Sequence, residues 1–178
     1  MLVLITGLPG TGKSTIAMHL ARRLRATVLR TDVIRKQLFP QPKYTEEEKE
    51  LVYKVTFLIA EYLLRAGKNV ILDGTFYKRS LRERVYRLAR DLRKRLIIVE
   101  CCAPEAVVKQ RMEARAKKKN IPTDADFEVY KKIRDQFEHL RRQRVIVDTS
   151  NPLEENLSEI MRYIAKKTKT SRRIRRRG

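Results

Sequence analysis

Much that other kinds of chain depend on is missing from this sequence. Only two cysteines occur, Cys101 and Cys102, and as sequence neighbours they are poorly placed for a structural disulfide. That excludes a disulfide-built scaffold and, with no export signal visible, leads to the expectation of a reducing cytoplasm. No run approaches eighteen apolar residues, which excludes a membrane-spanning helix. The apolar opening Met1–Thr6 lacks a basic leader and runs into Gly-Leu-Pro-Gly, so it reads as a buried strand rather than a signal sequence. The two histidines, His19 and His139, stand apart; no Cys/His spacing suits zinc and no Ser-His-Asp arrangement stands out. Glycine and proline are scarce, six each, and neither repeats nor a linker divide the chain. Acidic side chains are outnumbered two to one, 21 against 42 Lys and Arg, for a formal charge of +21.

What remains is one domain's worth of chain, 178 residues. The segment Lys166–Gly178 carries eight basic residues and no acidic one, and removing it leaves +13. The expected division is therefore a domain over 1–165 and a flexible basic tail over 166–178. A basic body as well as a basic tail points to a polyanion such as RNA or DNA, since neutralising phosphates releases counterions.

Apolar periodicity places strands at Leu2–Ile5, at 26–30, in Asn-Val-Ile-Leu-Asp (69–73), in 95–101 and in 144–148. Helices are expected at Ser14–Arg25, from the Thr45/Glu48 capping box to Ala66, from a Ser80/Glu83 box onward, from Pro104 to Arg115, over Asp124–Arg141, and after Pro152. The second of these puts Leu51, Val55, Leu58, Ile59 and Tyr62 on one face; the third puts Leu81, Val85, Leu88 and Leu92 inward and arginines outward. The segment 116–123 reads as a basic loop. Continuous rather than alternating apolar strands, separated by helices, imply a three-layer α/β sandwich: a five-stranded parallel sheet with helices on both faces. Ligands of such sheets collect at the carboxyl ends of the strands.

At that edge lies Gly7-x-x-x-x-Gly12-Lys13-Ser14, a P-loop pattern with a strand before it and a helix after. Backbone N–H groups of Gly7, Gly10, Thr11, Gly12, Lys13, Ser14 and Thr15, with Pro9 shaping the turn, would converge on phosphate oxygens at a positive helix end. Lys13 would reach the β and γ phosphates, and the Ser14 hydroxyl would bind Mg2+. Asp73, at the end of an apolar strand, is a second magnesium candidate, followed by Gly74 and Thr75. Asp32 and Arg35 form Asp-x-x-Arg on the first turn of a helix. There a carboxylate could take the proton of an attacking hydroxyl and a guanidinium could grip an acidic acceptor; the alternative is a helix cap with its i+3 partner. Arg111 and Arg115 share a helix face and could close over a transferring phosphate. Phe76, Tyr77, Lys78 and Arg79 could stack on and contact a terminal nucleotide, or simply pack their loop.

The segments GLPGTGKST, TDVIRK, ILDGTFYKRSLRERV, APEAVVKQRMEAR and YKKIRDQFEHLRRQRVIVDTS run from Leu4 to Ser150 in that order. Together they resemble one branch of the P-loop kinases, which includes the phage-type polynucleotide 5′-kinase domains and the seryl-tRNA kinases. The resemblance implies strand order 2-3-1-4-5 and phosphoryl transfer from ATP to a hydroxyl. It further implies Asp32 as general base, Arg35 as an acceptor-binding residue, and one or both of Arg111 and Arg115 as lid arginines. Two departures from that branch are expected: no extra acceptor-recognition domain like that of the larger seryl-tRNA kinases, and no attached phosphatase or ligase domain. The leading expectation is a Mg-ATP kinase of a 5′-hydroxyl on RNA or DNA. The alternatives are a kinase of a small metabolite or nucleoside, and an ATP-switched RNA-binding protein without phosphotransfer.

Overall fold

The computed structural model describes residues 1–117 and 126–175. Its five strands are β1 (Leu2–Thr6), β2 (Ala26–Arg30), β3 (Asn69–Asp73), β4 (Leu96–Cys102) and β5 (Val145–Asp148). They form one parallel sheet in the order β2-β3-β1-β4-β5, as the resemblance implies. Parallel neighbours need crossovers, and helices supply them: α1 (Lys13–Leu24), α2 (Thr31–Leu38), α3 (Glu46–Arg65), α4 (Arg79–Asp91), α5 (Glu105–Ala116), α6 (Phe127–Asp135) and α7 (Leu153–Arg175).

Alternation along each strand explains the three layers. Leu2, Leu4, Val70 and Leu72 point to one face, where Tyr53, Ala60 and Leu64 of α3 and Leu81, Val85 and Ala89 of α4 cover them. Val3, Ile5, Ile71, Ile97 and Val99 point to the other, against Ile16, Ala17 and Leu20 of α1 and Leu157, Ile160 and Ile164 of α7. A strand apolar on both faces follows from burial on both.

Four expectations change. The α3 residues Leu51, Val55, Leu58, Ile59 and Tyr62 form its outer face, with Leu58 54% and Tyr62 69% exposed; Val52, Tyr53, Thr56, Ala60 and Leu64 meet the core. The Ser80/Glu83 box is not formed: Lys78 is the N-cap of α4, without a side-chain cap bond. Arg82 turns inward instead of outward and is buried, because its guanidinium donates to the carbonyls of Phe76, Tyr77 and Glu138. Helix α6 ends at Asp135, short of Arg141: Leu140 is buried in the core and the Glu138 N–H bonds to the Tyr77 carbonyl, so the chain leaves the helical path there. Residues 124 and 125, and 118–123 of the expected basic loop, lie outside the described residues. At the far end, the backbone of α7 stays helical to Arg175, through most of the basic segment. Among the described residues no helix is long and apolar enough to cross a membrane.

Candidate active site

The loop between β1 and α1 follows a path that side chains obstruct. Gly7 has φ +143°, and a Cβ there would stand 2.2 Å from the Cys101 carbonyl oxygen of β4. Gly12 caps α1 in the left-handed region, φ +75°, and no side chain caps the helix. The first N–H groups of α1 are thus left for a ligand, with no acidic residue in that turn to oppose an anion. Lys13 is buried and its ammonium donates to the Leu8 carbonyl at 2.7 Å. Burial pulls its pKa below the usual lysine value, against the opposing pull of Asp73, Cys101 and Asp32.

Parallel register sets the acidic side of the site. Asp73 of β3 is in register with Arg30 of β2 on one side and Ile5 of β1 on the other, so the three side chains share the face that α1 covers. Asp73 is 3% exposed. Burial pushes its carboxyl pKa up, countered by Lys13 and by a hydrogen bond from the Ser14 hydroxyl. Its Oδ2 has no hydrogen-bond partner among the described residues. A buried, orphaned carboxylate oxygen beside a hydroxyl fits a hard cation that takes one or two protein oxygens and finds the rest on phosphate and water. No group of three or more His, Cys, Asp or Glu gathers for a metal among the described residues.

These groups line one cavity of about 690 Å³. Pro9, Gly10, Gly12, Lys13, Ser14 and Thr15 form its floor, with Arg30, Asp32, Asp73 and Thr75 on one side and Arg111, Arg115 and Thr149 on another. Asp32, in the first turn of α2, accepts from the Val33 N–H at 2.9 Å and from Arg30 Nη2 at 3.0 Å. The Thr75 carbonyl accepts from the Thr6 hydroxyl.

The two α5 arginines differ. Arg111 forks onto Thr149, donating to its hydroxyl at 2.8 Å and its carbonyl at 2.7 Å, while that hydroxyl donates to the Thr11 carbonyl at 2.9 Å. Arg115 presents a buried Nη2 without a partner among the described residues, and burial together with the nearby Arg111 lowers its pKa.

Four residues expected at the acceptor lie elsewhere. Arg35 pairs with Glu48 at 3.3 Å and stacks 5.0 Å from the centroid of Tyr44, fastening α2 to α3. Tyr77 is buried, its hydroxyl accepting from Lys49 at 2.9 Å. Phe76 is fully buried edge-on to Tyr53, with centroids 5.3 Å apart. Arg79 pairs with Glu83 at 3.9 Å and lines a separate recess with Ser80, Glu138 and His139. The sequence reading passed over Arg30 and Thr149. A charged residue ending a parallel strand was the available signal for the first; the second was visible only as part of a motif.

Comparison with known proteins agrees with the fold. A family model described as AAA domain matches residues 2–140. An uncharacterized protein of Mycobacterium tuberculosis is 34% identical over 127 residues, 65% of this chain; the chain's match spans about a quarter, 26%, of that relative. A protein of Aeropyrum pernix named probable adenylyl-sulfate kinase is 30% identical over 165 residues, covering 89% of this chain and 88% of that one. The L-seryl-tRNA(Sec) kinase of Methanococcus maripaludis is 26% identical over 137 residues, 74% and 52% of the two chains. Among solved structures, the Mycobacterium tuberculosis APS kinase in complex with AMPPNP and APS superimposes with TM-score 0.68 at 19% identity, over 92% of this chain and 96% of that one. A gluconokinase from Sinorhizobium meliloti gives 0.66 at 21%, over 92% and 91%.

Proposed function

We propose, from the premise that this chain belongs to the AAA-domain family of P-loop kinases, that it transfers the γ-phosphoryl group of ATP to a hydroxyl of a small polar acceptor. The observation that carries this reading is the placement of Asp32 in the same cavity as Lys13, Ser14, Asp73 and Arg115. The loop N–H groups and Lys13 bind the triphosphate. An acceptor hydroxyl oxygen attacks the γ-phosphorus, the bond to the departing ADP oxygen breaks, and Asp32 takes the hydroxyl proton. Arg115, whose buried Nη2 has no hydrogen-bond partner among the described residues, meets the charge on the moving phosphoryl group. Ser14 and Asp73 would hold Mg2+, which, when bound, supplies charge neutralisation at the phosphates. Thr15, Ile16, Asn151, Leu153 and Asn156 line the remaining wall, where a nucleoside would lie.

Relatives named for adenylyl sulfate and gluconate on one side and seryl-tRNA on the other admit both acceptor classes. The small acceptor is favoured because Phe76, Tyr77, Arg79 and Arg35, the side chains available for a terminal nucleotide, are committed elsewhere. A nucleic-acid acceptor keeps the support of the +21 charge. Labelled γ-phosphate ATP with a panel of sugars, sugar acids, adenylyl sulfate, nucleosides, 5′-hydroxyl oligonucleotides and tRNA separates them. Label in a small acceptor is expected; label confined to the nucleic acids would overturn the choice. Asp32→Asn should lower turnover by about 10²–10⁴-fold with nucleotide affinity little changed. Undiminished turnover would remove Asp32 from the reaction.

A further inference from the structure

Among the described residues, the strand-end arginine is the charged group of the cavity without an assigned task. Arg30 ends β2 in direct register with Asp73. Its Nη2 donates to Asp32 at 3.0 Å, and its Nε stands 3.6 Å from Asp73 Oδ2. Both atoms of this second pair are buried without a hydrogen-bond partner among the described residues. One guanidinium therefore lies between two carboxylates, fully bonded to one and only near the other.

We propose that Arg30 is a built-in counter-ion for the Asp32–Asp73 pair, which a divalent cation must displace from Asp73 when it enters with nucleotide. The inference rests on the reading of Ser14 and Asp73 as the cation's ligands. Two carboxylates facing a triphosphate repel it, and a positive group between them relieves that repulsion when no metal is present. The same positive group opposes an incoming cation and competes for Asp73 Oδ2. Register makes the arrangement obligatory, because in-register residues of adjacent parallel strands cannot turn away from each other. The incomplete Arg30–Asp73 contact is what an exchangeable partner requires: close enough to neutralise, too loosely bonded to hold. Arg30 keeps Asp32 as a second anchor after the exchange.

The measurement is ADP binding by titration calorimetry, with magnesium and with chelator, for the wild type and for Arg30→Met, Arg30→Gln and Arg30→Lys. Losing the counter-ion should weaken metal-free ADP binding and strengthen the magnesium-dependent gain. The ratio of the two dissociation constants should rise about tenfold, within the usual range for coupled sites, in both neutral variants. Arg30→Lys should stay near wild type. A residue that only props up the fold would shift both constants together, so an unchanged ratio in folded Arg30→Met or Arg30→Gln overturns the proposal. Wild-type protein that fails to bind ADP at all would overturn the phosphate-cradle reading as well, an outcome distinct from the first. The calorimetric readout needs no acceptor and no turnover.

Discussion

Arg111 and Arg115 sit one turn apart on α5, and sequence spacing treats them alike. Their surroundings do not. Arg111 is spent on Thr149, and through it on the carbonyl of Thr11 in the phosphate loop. Arg115 carries an unpartnered buried Nη2 on the cavity wall. Arg111→Ala should therefore lower stability by about 1–3 kcal/mol, the range for charge-assisted bonds left unmade, and loosen nucleotide binding. Arg115→Ala should leave the melting temperature close to wild type and reduce turnover. Thermal melts and steady-state kinetics on the two variants test the contrast, and equal effects would contradict it. The phosphate loop was legible because each position answers a backbone demand, as Gly7 does beneath the Cys101 carbonyl. Arg35 was not, because its partner Glu48 lies thirteen residues away and no local spacing announces it. Burial gives the two cysteines separate chemistry too. Burial pushes the Cys101 thiol up to about 12, while Cys102 is exposed and its thiol is raised by partial burial and by the nearby Asp148 and Glu100 carboxylates. At mildly alkaline pH iodoacetamide should label Cys102 first and reach Cys101 only on unfolding. Since the unfolded thiol ionises near its ordinary value and the folded Cys101 keeps its proton, this group's contribution to stability is intact below that value. It is lost as pH rises through it toward the folded value.

At the scale of elements, α3 and the segment after α6 show where periodicity stops being informative. Helix α3 has apolar residues on two sides: Val52, Tyr53, Ala60 and Leu64 on one, Leu51, Leu58, Ile59 and Tyr62 on the other. A 3.6-residue period finds both stripes and cannot say which meets a sheet. Only the strand edge packed beside it decides. The stretch 136–141 reads as the end of a helix because Leu140 keeps the spacing of Phe127, Tyr130, Ile133 and Phe137. Its conformation is set instead by Arg82, which reaches across from α4 to the carbonyls of Phe76, Tyr77 and Glu138. One side chain thereby fixes two irregular segments. Arg82→Met should cost about 2–4 kcal/mol, because it strands buried carbonyls rather than merely deleting a charge. It should also increase amide exchange at the 76–78 and 137–140 backbones. Chemical denaturation and hydrogen exchange would show it, and a variant as stable as wild type would refute the role.

For the whole molecule, the three-layer architecture was legible in strands that are apolar on both faces, whereas the strand order came from family resemblance and not from periodicity. The charge of +21 bears on association more than on catalysis. Nucleic acid should adhere without sequence preference and be released steeply as salt rises from about 50 to 200 mM. Phosphoryl transfer to a small acceptor should change far less over that interval. Filter binding and kinetics across one salt series compare the two. A parallel collapse would mean that the polyanion is the acceptor after all.

Arg30 and Asp73 meet because β2 and β3 each end where they do, in phase. Parity along a strand is binary. One extra residue inserted into β3 ahead of Asp73 would swing its carboxylate through the sheet to the α3–α4 side, among Leu72 and Phe76. Two would bring it back to the proper side but a notch beyond the loop. The chemistry of this edge thus depends on odd and even counts that no comparison of composition could detect.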